Sequence, residues 1–198
     1  MRNLEEMTDE ELALLYIDGN NQAFDIILAR NEAKIFTYIM FMVHDQEVAN
    51  DIFQETFVKV ICRLQKHQYT TSGKFSAWCM RIAHNVMMDQ YRDSRTKSLV
   101  DVNETNDLSN IGSTDLLMDN AEDVIVQNQV LNDVRKMMDQ LPALQREVVY
   151  MRYYQQLSFK EIAEATGVSI NTSLGRMRYA LLNLRRMAKE HNICLELN

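Results

Sequence analysis

A chain of 198 residues, 46% hydrophobic, with five glycines and a single proline, has room for one ordinary domain or two small ones, and its composition favours helices. No stretch approaches the roughly 18 consecutive apolar residues of a membrane span, and an N-terminus holding Glu5, Glu6, Asp9, Glu10 and Glu11 does not resemble a secretory signal, so a cytoplasmic location without membrane insertion is expected. The net charge of −7 hides an asymmetry: residues 1–93 carry 9 basic and 14 acidic side chains, residues 94–122 carry 2 and 6, and residues 123–198 carry 10 and 8.

Along the chain, Thr8 and Glu11 form a capping box that starts a short helix ending at Asp18. Gly19 stops it and Asn20 caps a longer helix, in which Phe24, Ile27, Leu28, Ile35, Ile39 and Met42 recur at helical spacing. His44-Asp45 breaks the pattern with a tight turn. Ala49, Ile52, Phe53, Thr56, Val60 and Leu64 then mark a third amphipathic helix reaching about Gln65. Residues 66–74 read as an exposed polar loop. A fourth helix, beginning near Ser72, places Phe75, Trp78, Cys79, Ile82, Ala83 and Val86 on its apolar side. Trp78 fits a core tryptophan better than an exposed wedge.

From about Asp93 to Asn120 the periodicity disappears, and Ser, Thr, Asn and Asp dominate; so little apolar surface predicts a flexible acidic linker over 94–122. Helical spacing resumes at Val124, Leu131, Val134, Met138 and Leu141. Pro142 permits a fresh start, and Leu144, Val148 and Met151 continue to about Tyr154.

The run from Leu157 to Thr172 reads as helix, tight turn, helix. Ser158 and Glu161 supply a capping box, Ala163 is small where two helices would cross, Gly167 suits a left-handed turn, and Ser169 caps the second helix. Asn171, Thr172, Ser173 and Arg176 lie near the start of that second helix, where side chains can reach base edges and phosphates in a major groove. Arg178, Arg185 and Arg186 add cationic charge, and no acidic residue occurs between Val168 and Lys189. Residues 123–190 are therefore expected to bind duplex DNA, with a tail at 191–198.

Earlier in the chain, Glu47, Asp51 and Glu55 recur every four residues and form an acidic stripe opposite the apolar face of the third helix, with Gln54 beside it. Such a stripe suits a basic partner helix. The fourth helix and the loop before it bring Tyr69, Lys74, Arg81, Asn85 and Arg92, a set able to hold a phosphate backbone and an unstacked base. Cys62, Cys79 and Cys194 are too widely spaced for a metal site and are expected to be reduced thiols; His44, His67, His84 and His191 offer no ligand spacing either. With no nucleophile–base pair and no Gly-rich phosphate loop, no catalytic residue, cofactor or metal is expected, and an enzyme is disfavoured.

The segments Asp51–Val60 and Phe75–Asn85, with Asp89 and Arg92, resemble region 2 of the extracytoplasmic-function sigma factors of RNA polymerase, and the later helix-turn-helix resembles region 4. The resemblance implies an all-α protein of two small domains, a four-helix region 2 at 1–93 and a region 4 at 123–190, that directs core polymerase to promoters. It also implies the roles. Glu47, Asp51, Gln54 and Glu55 would meet the coiled coil of the beta-prime clamp. Tyr69, Lys74, Arg81, Asn85 and Arg92 would take the non-template strand of the minus-ten element. Asn171, Thr172, Ser173, Arg176, Arg178 and Arg185 would read the minus-thirty-five duplex. The beta flap and an anti-sigma factor are further implied partners, and the linker either threads toward the polymerase channel or is a passive tether.

At Ser173-Leu174-Gly175-Arg176 the chain departs from the family's aliphatic residue followed by Lys-Ser-Arg. A glycine inside a helix costs about 1 kcal/mol against alanine but admits close approach of a DNA backbone. A plain helix-turn-helix regulator is the rival reading; it would bind a palindrome without polymerase.

Overall fold

The computed structural model describes residues 3–70, 74–98 and 134–190, and every regular element among them is helical. After a 3-10 turn (Leu4–Glu6) come α1 (Asp9–Ile17), α2 (Asn21–Val43), α3 (Gln46–Gln65), α4 (Phe75–Ser98), α5 (residues 134–139), α6 (Ala143–Tyr153), α7 (Phe159–Thr166) and α8 (Ile170–Glu190). The expected linker beyond Ser98, the start of the helix expected from Val124, Cys194 and the tail at 191–198 lie outside the described residues. Helix α4 itself runs past residue 93, where the sequence pattern had placed the end of the first domain.

Local chemistry fixes the helix ends. Both capping boxes form: Thr8 with Glu11 at α1, and Ser158 with Glu161 at α7. Asn20 accepts from the Ala23 N–H at the start of α2, and Asp45 from the Val48 N–H at the start of α3. Between them His44 adopts the left-handed conformation (φ 56°) and terminates α2, which is the physical form of the expected tight turn. Helix α4 borrows its cap from α1, whose Glu10 carboxylate accepts the Phe75 N–H at 2.9 Å. Arg30 on α2 donates to the carbonyls of Glu5 and Met7 and pairs with Asp9 at 3.1 Å, so the N-terminal segment is pinned to the bundle.

Helices α1 to α4 enclose a core of Leu12, Ile27, Ile35, Ile39, Ile52 and Met80, all at most 1% exposed. In the second half α6, α7 and α8 pack on one another around Val148, Met151, Leu157, Ile162 and Ala180. The two halves are in contact: α7 lies on α4 and α6 on α2, and the buried apolar residues of both form one contiguous cluster.

Candidate functional site

Three surfaces carry the residues singled out from the sequence. The first is the outer face of α3. Its buried residues Ala49, Ile52, Thr56, Phe57, Val60 and Leu64 face the bundle. Glu47, Asp51, Gln54 and Glu55 are all exposed, so the acidic stripe exists as a surface. Glu55 is partly neutralised by Lys59 at 2.7 Å, one turn on, a surface pair that contributes little to stability.

The second surface is a cleft of about 270 Å³ lined on one side by Arg63, Tyr69, Lys74, Trp78 and Arg81. Tyr69 is not on an exposed loop, as expected from the polar run around it, but is 6% exposed. Its ring packs edge-on against Phe75 (5.5 Å) and Trp78 (5.0 Å), which explains the burial: the loop folds its one aromatic back onto the start of α4. Burial also pushes the Tyr69 phenol well above its ordinary pKa. Trp78 is half-buried, one part packed on the core and another forming cleft wall. Lys74 and Arg81 are exposed. Asn85 and Arg92 lie further along the same face of α4 and are exposed outside the cleft, with Arg92 paired to Asp89 at 3.3 Å.

The third surface is the helix-turn-helix. Gly167 takes φ +67° between α7 and α8, a left-handed turn in which a side chain would be strained. Ala163 is 4% exposed at the packed side of α7. The Ser169 hydroxyl accepts the Thr172 N–H at 3.0 Å, so the expected cap of α8 forms. Asn171, Thr172, Arg178 and Arg185 are exposed, and Arg176 is half-buried with one guanidinium nitrogen unpartnered. Ser173 corrects the sequence reading. It is fully buried, because it opens the inward stripe that continues through Met177 and Ala180, and its hydroxyl cannot reach DNA from there.

Sequence reasoning passed over one constellation. Glu147 on α6 is fully buried; it accepts a hydrogen bond from the Tyr38 hydroxyl of α2 and meets His84 Nδ1 of α4 at 2.7 Å. Burial first, then the Glu147 carboxylate, hold the Tyr38 phenol well above its ordinary pKa. Beside it Arg146 donates to the Met42 carbonyl at the end of α2 (3.2 Å), and burial lowers the guanidinium's pKa. The sequence did hold a signal: Glu147 lies four residues after Ala143 and four before Met151, on the apolar stripe of α6, where a charge needs a buried partner.

Among the described residues no three or more His, Cys, Asp or Glu side chains gather into a metal site, and no helix is long and apolar enough to cross a membrane. Cys62 is an exposed free thiol and Cys79 a buried one.

Known proteins share this arrangement. Residues 27–97 match the family model for sigma-70 region 2, and residues 131–181 that for sigma-70 region 4. The chain is 25% identical over 174 residues to the extracytoplasmic-function RNA polymerase sigma factor SigW of Bacillus subtilis, covering 87% of this chain and 92% of SigW. It is 28% identical over 164 residues to the RNA polymerase sigma factor YlaC of the same organism, covering 81% and 91%. Among solved structures, the fold is similar to the sigma factor RpoE of Bartonella quintana, crystallised with the anti-sigma factor NepR (TM-score 0.64, 19% identity, 84% of this chain and 96% of that one). It is also similar to CnrH, solved with the cytosolic domain of CnrY (TM-score 0.63, 23% identity, 92% and 97%). With sigma-70 regions 2 and 4 matched in that order over more than half of the chain, and extracytoplasmic-function sigma factors among the proteins it is similar to, the chain belongs to the sigma-70 family, which directs RNA polymerase to promoters.

Proposed function

We propose that residues 1–93 engage core RNA polymerase through the stripe Glu47, Asp51, Gln54 and Glu55, and hold the non-template strand of the minus-ten element through Tyr69, Lys74, Arg81, Asn85 and Arg92. Residues 123–190 read the minus-thirty-five duplex through Asn171, Thr172, Arg176, Arg178 and Arg185. The observation that carries the reading is the exposure of the whole acidic stripe on the face of α3 opposite its buried residues. Asn171, Thr172, Arg178 and Arg185 are equally exposed on a capped recognition helix. The chain works by recruitment in the cytoplasm, with no chemistry of its own. Its partners are the beta-prime clamp, the beta flap, promoter DNA and, as for RpoE of Bartonella quintana, an anti-sigma factor.

Strand separation costs about 1.4 kcal/mol per stacked step, so so small a domain opens DNA only with contacts from polymerase. A gel shift on promoter DNA with and without core enzyme tests the assignment. A sequence-specific complex is expected only when both proteins are present; tight specific binding by the free chain favours the plain regulator instead.

A further inference from the structure

Helix α8 packs on α6 and α7 and buries Ser173, Met177, Ala180, Met187 and Ala188. On the opposite side, at spacings of three and four, run Asn171, Gly175, Tyr179 and Leu182. Tyr179, 63% exposed, and Leu182, 48%, put apolar groups among polar and cationic ones. A single exposed apolar side chain is ordinary on a protein surface. What matters is where Tyr179 stands.

A helical position is ringed by the residues three and four before and after it. For Gly175 these are Asn171, Thr172, Arg178 and Tyr179, all four of them exposed. A Cβ built on Gly175 would meet no side chain within 4 Å beyond its chain neighbours, so the four border a notch without filling it. Helical side chains lean toward the N-terminus, which sets the Tyr179 ring on the C-terminal rim of that notch. No acidic residue between Val168 and Lys189 opposes a nucleic acid there.

The rim decides what fits. In the major groove base pairs present donors, acceptors and one methyl group, on thymine C5. A notch with an aromatic edge suits the methyl. On the opposite rim the Asn171 amide carries the donor and the acceptor that match adenine N7 and N6. Resting on the reading of α8 as the minus-thirty-five helix, we propose that Tyr179 is a specificity-determining residue: a thymine C5 methyl seats over Gly175 against the Tyr179 ring, beside an adenine read by Asn171. The chain thereby selects A·T at this step through an uncharged contact, while Arg178 and Arg185 hold phosphates whatever the sequence.

The test uses the full-length chain with core polymerase. Duplexes are selected by that complex from a randomised library, and each thymine of the selected minus-thirty-five element is then replaced in turn by 2′-deoxyuridine, which lacks only the methyl. At one position the replacement is expected to weaken binding about four-fold, the effect of one buried methyl group. Tyr179→Ala should bind the thymine duplex comparably weakly and no longer distinguish the two bases there, with circular dichroism unchanged because the ring is exposed. Tyr179→Phe should still distinguish them, since the ring and not the hydroxyl makes the contact. An element without any A·T pair, the lack of a sensitive thymine, or a Tyr179→Ala variant that still distinguishes the bases overturns the proposal. So does a Gly175→Ala variant weakened equally on both duplexes, because DNA backbone and not a methyl then approaches the notch. If instead Arg178→Ala with Arg185→Ala binds the selected duplex undiminished, the assignment of α8 to the minus-thirty-five element falls, and the proposal with it.

Discussion

Ser173 and Gly175 stand two residues apart on α8 and have opposite surroundings. Ser173 is sealed in the packing with an unpartnered hydroxyl, so Ser173→Ala is expected to leave promoter binding unchanged and the melting temperature equal or higher. Asn171→Ala, on the exposed side, should weaken the promoter complex, by about 1–3 kcal/mol if the amide reads a base; a filter-binding comparison of the two variants separates them. A Cβ added at Gly175 would meet no atom within 4 Å, so Gly175→Ala should raise stability by about 1 kcal/mol in urea titration. Loss of promoter affinity in that same variant would mean that DNA backbone approaches the vacant position. Spacing alone put Ser173 beside Asn171 and Thr172, and only the packing of α8 against its neighbours showed that it turns inward.

Helices α3 and α8 present charge of opposite sign, and each can be tested without touching a core. Asp51→Lys with Glu55→Lys changes two exposed residues and one weak surface pair, so circular dichroism should be unaltered while co-purification with core polymerase is lost. Arg178→Ala with Arg185→Ala should lower promoter affinity in the polymerase complex and flatten its salt dependence by about 0.9 in log–log slope per lost phosphate contact. The capping box of α7 has an acid limit. Because Glu161 is held below the usual carboxylate range, its contribution is complete above the ordinary glutamate pKa and fades as pH falls through the lowered one. Glu161→Gln should remove that part of the acid sensitivity in a thermal-melt series. At this scale the sequence was most legible: Thr8, Asn20, Ser158, Gly167 and Ser169 all act where their chemistry placed them. Caps and turns are settled by residues three or four apart, which is why they can be read in one dimension.

Contacts across the whole molecule were not legible in that way. Glu147 meets His84 across 63 residues of sequence and Tyr38 across 109, and nothing in the local period of α6 names either partner. The charge asymmetry suggested an acidic half for the polymerase and a basic half for DNA, yet Glu161 and Glu164 of the basic half line the same cleft as Arg63, Lys74 and Arg81 of the first. The family resemblance supplied the two regions and their order; how one rests on the other came only from three-dimensional packing. Run-off transcription from genomic templates with purified core polymerase, with and without this chain, followed by mapping of the RNA 5′ ends, measures the central property directly. Discrete start sites that appear only when the chain is added, and vanish with Asp51→Lys/Glu55→Lys, are the expected result. Start sites unchanged by the chain, together with specific duplex binding by the chain alone, would contradict it.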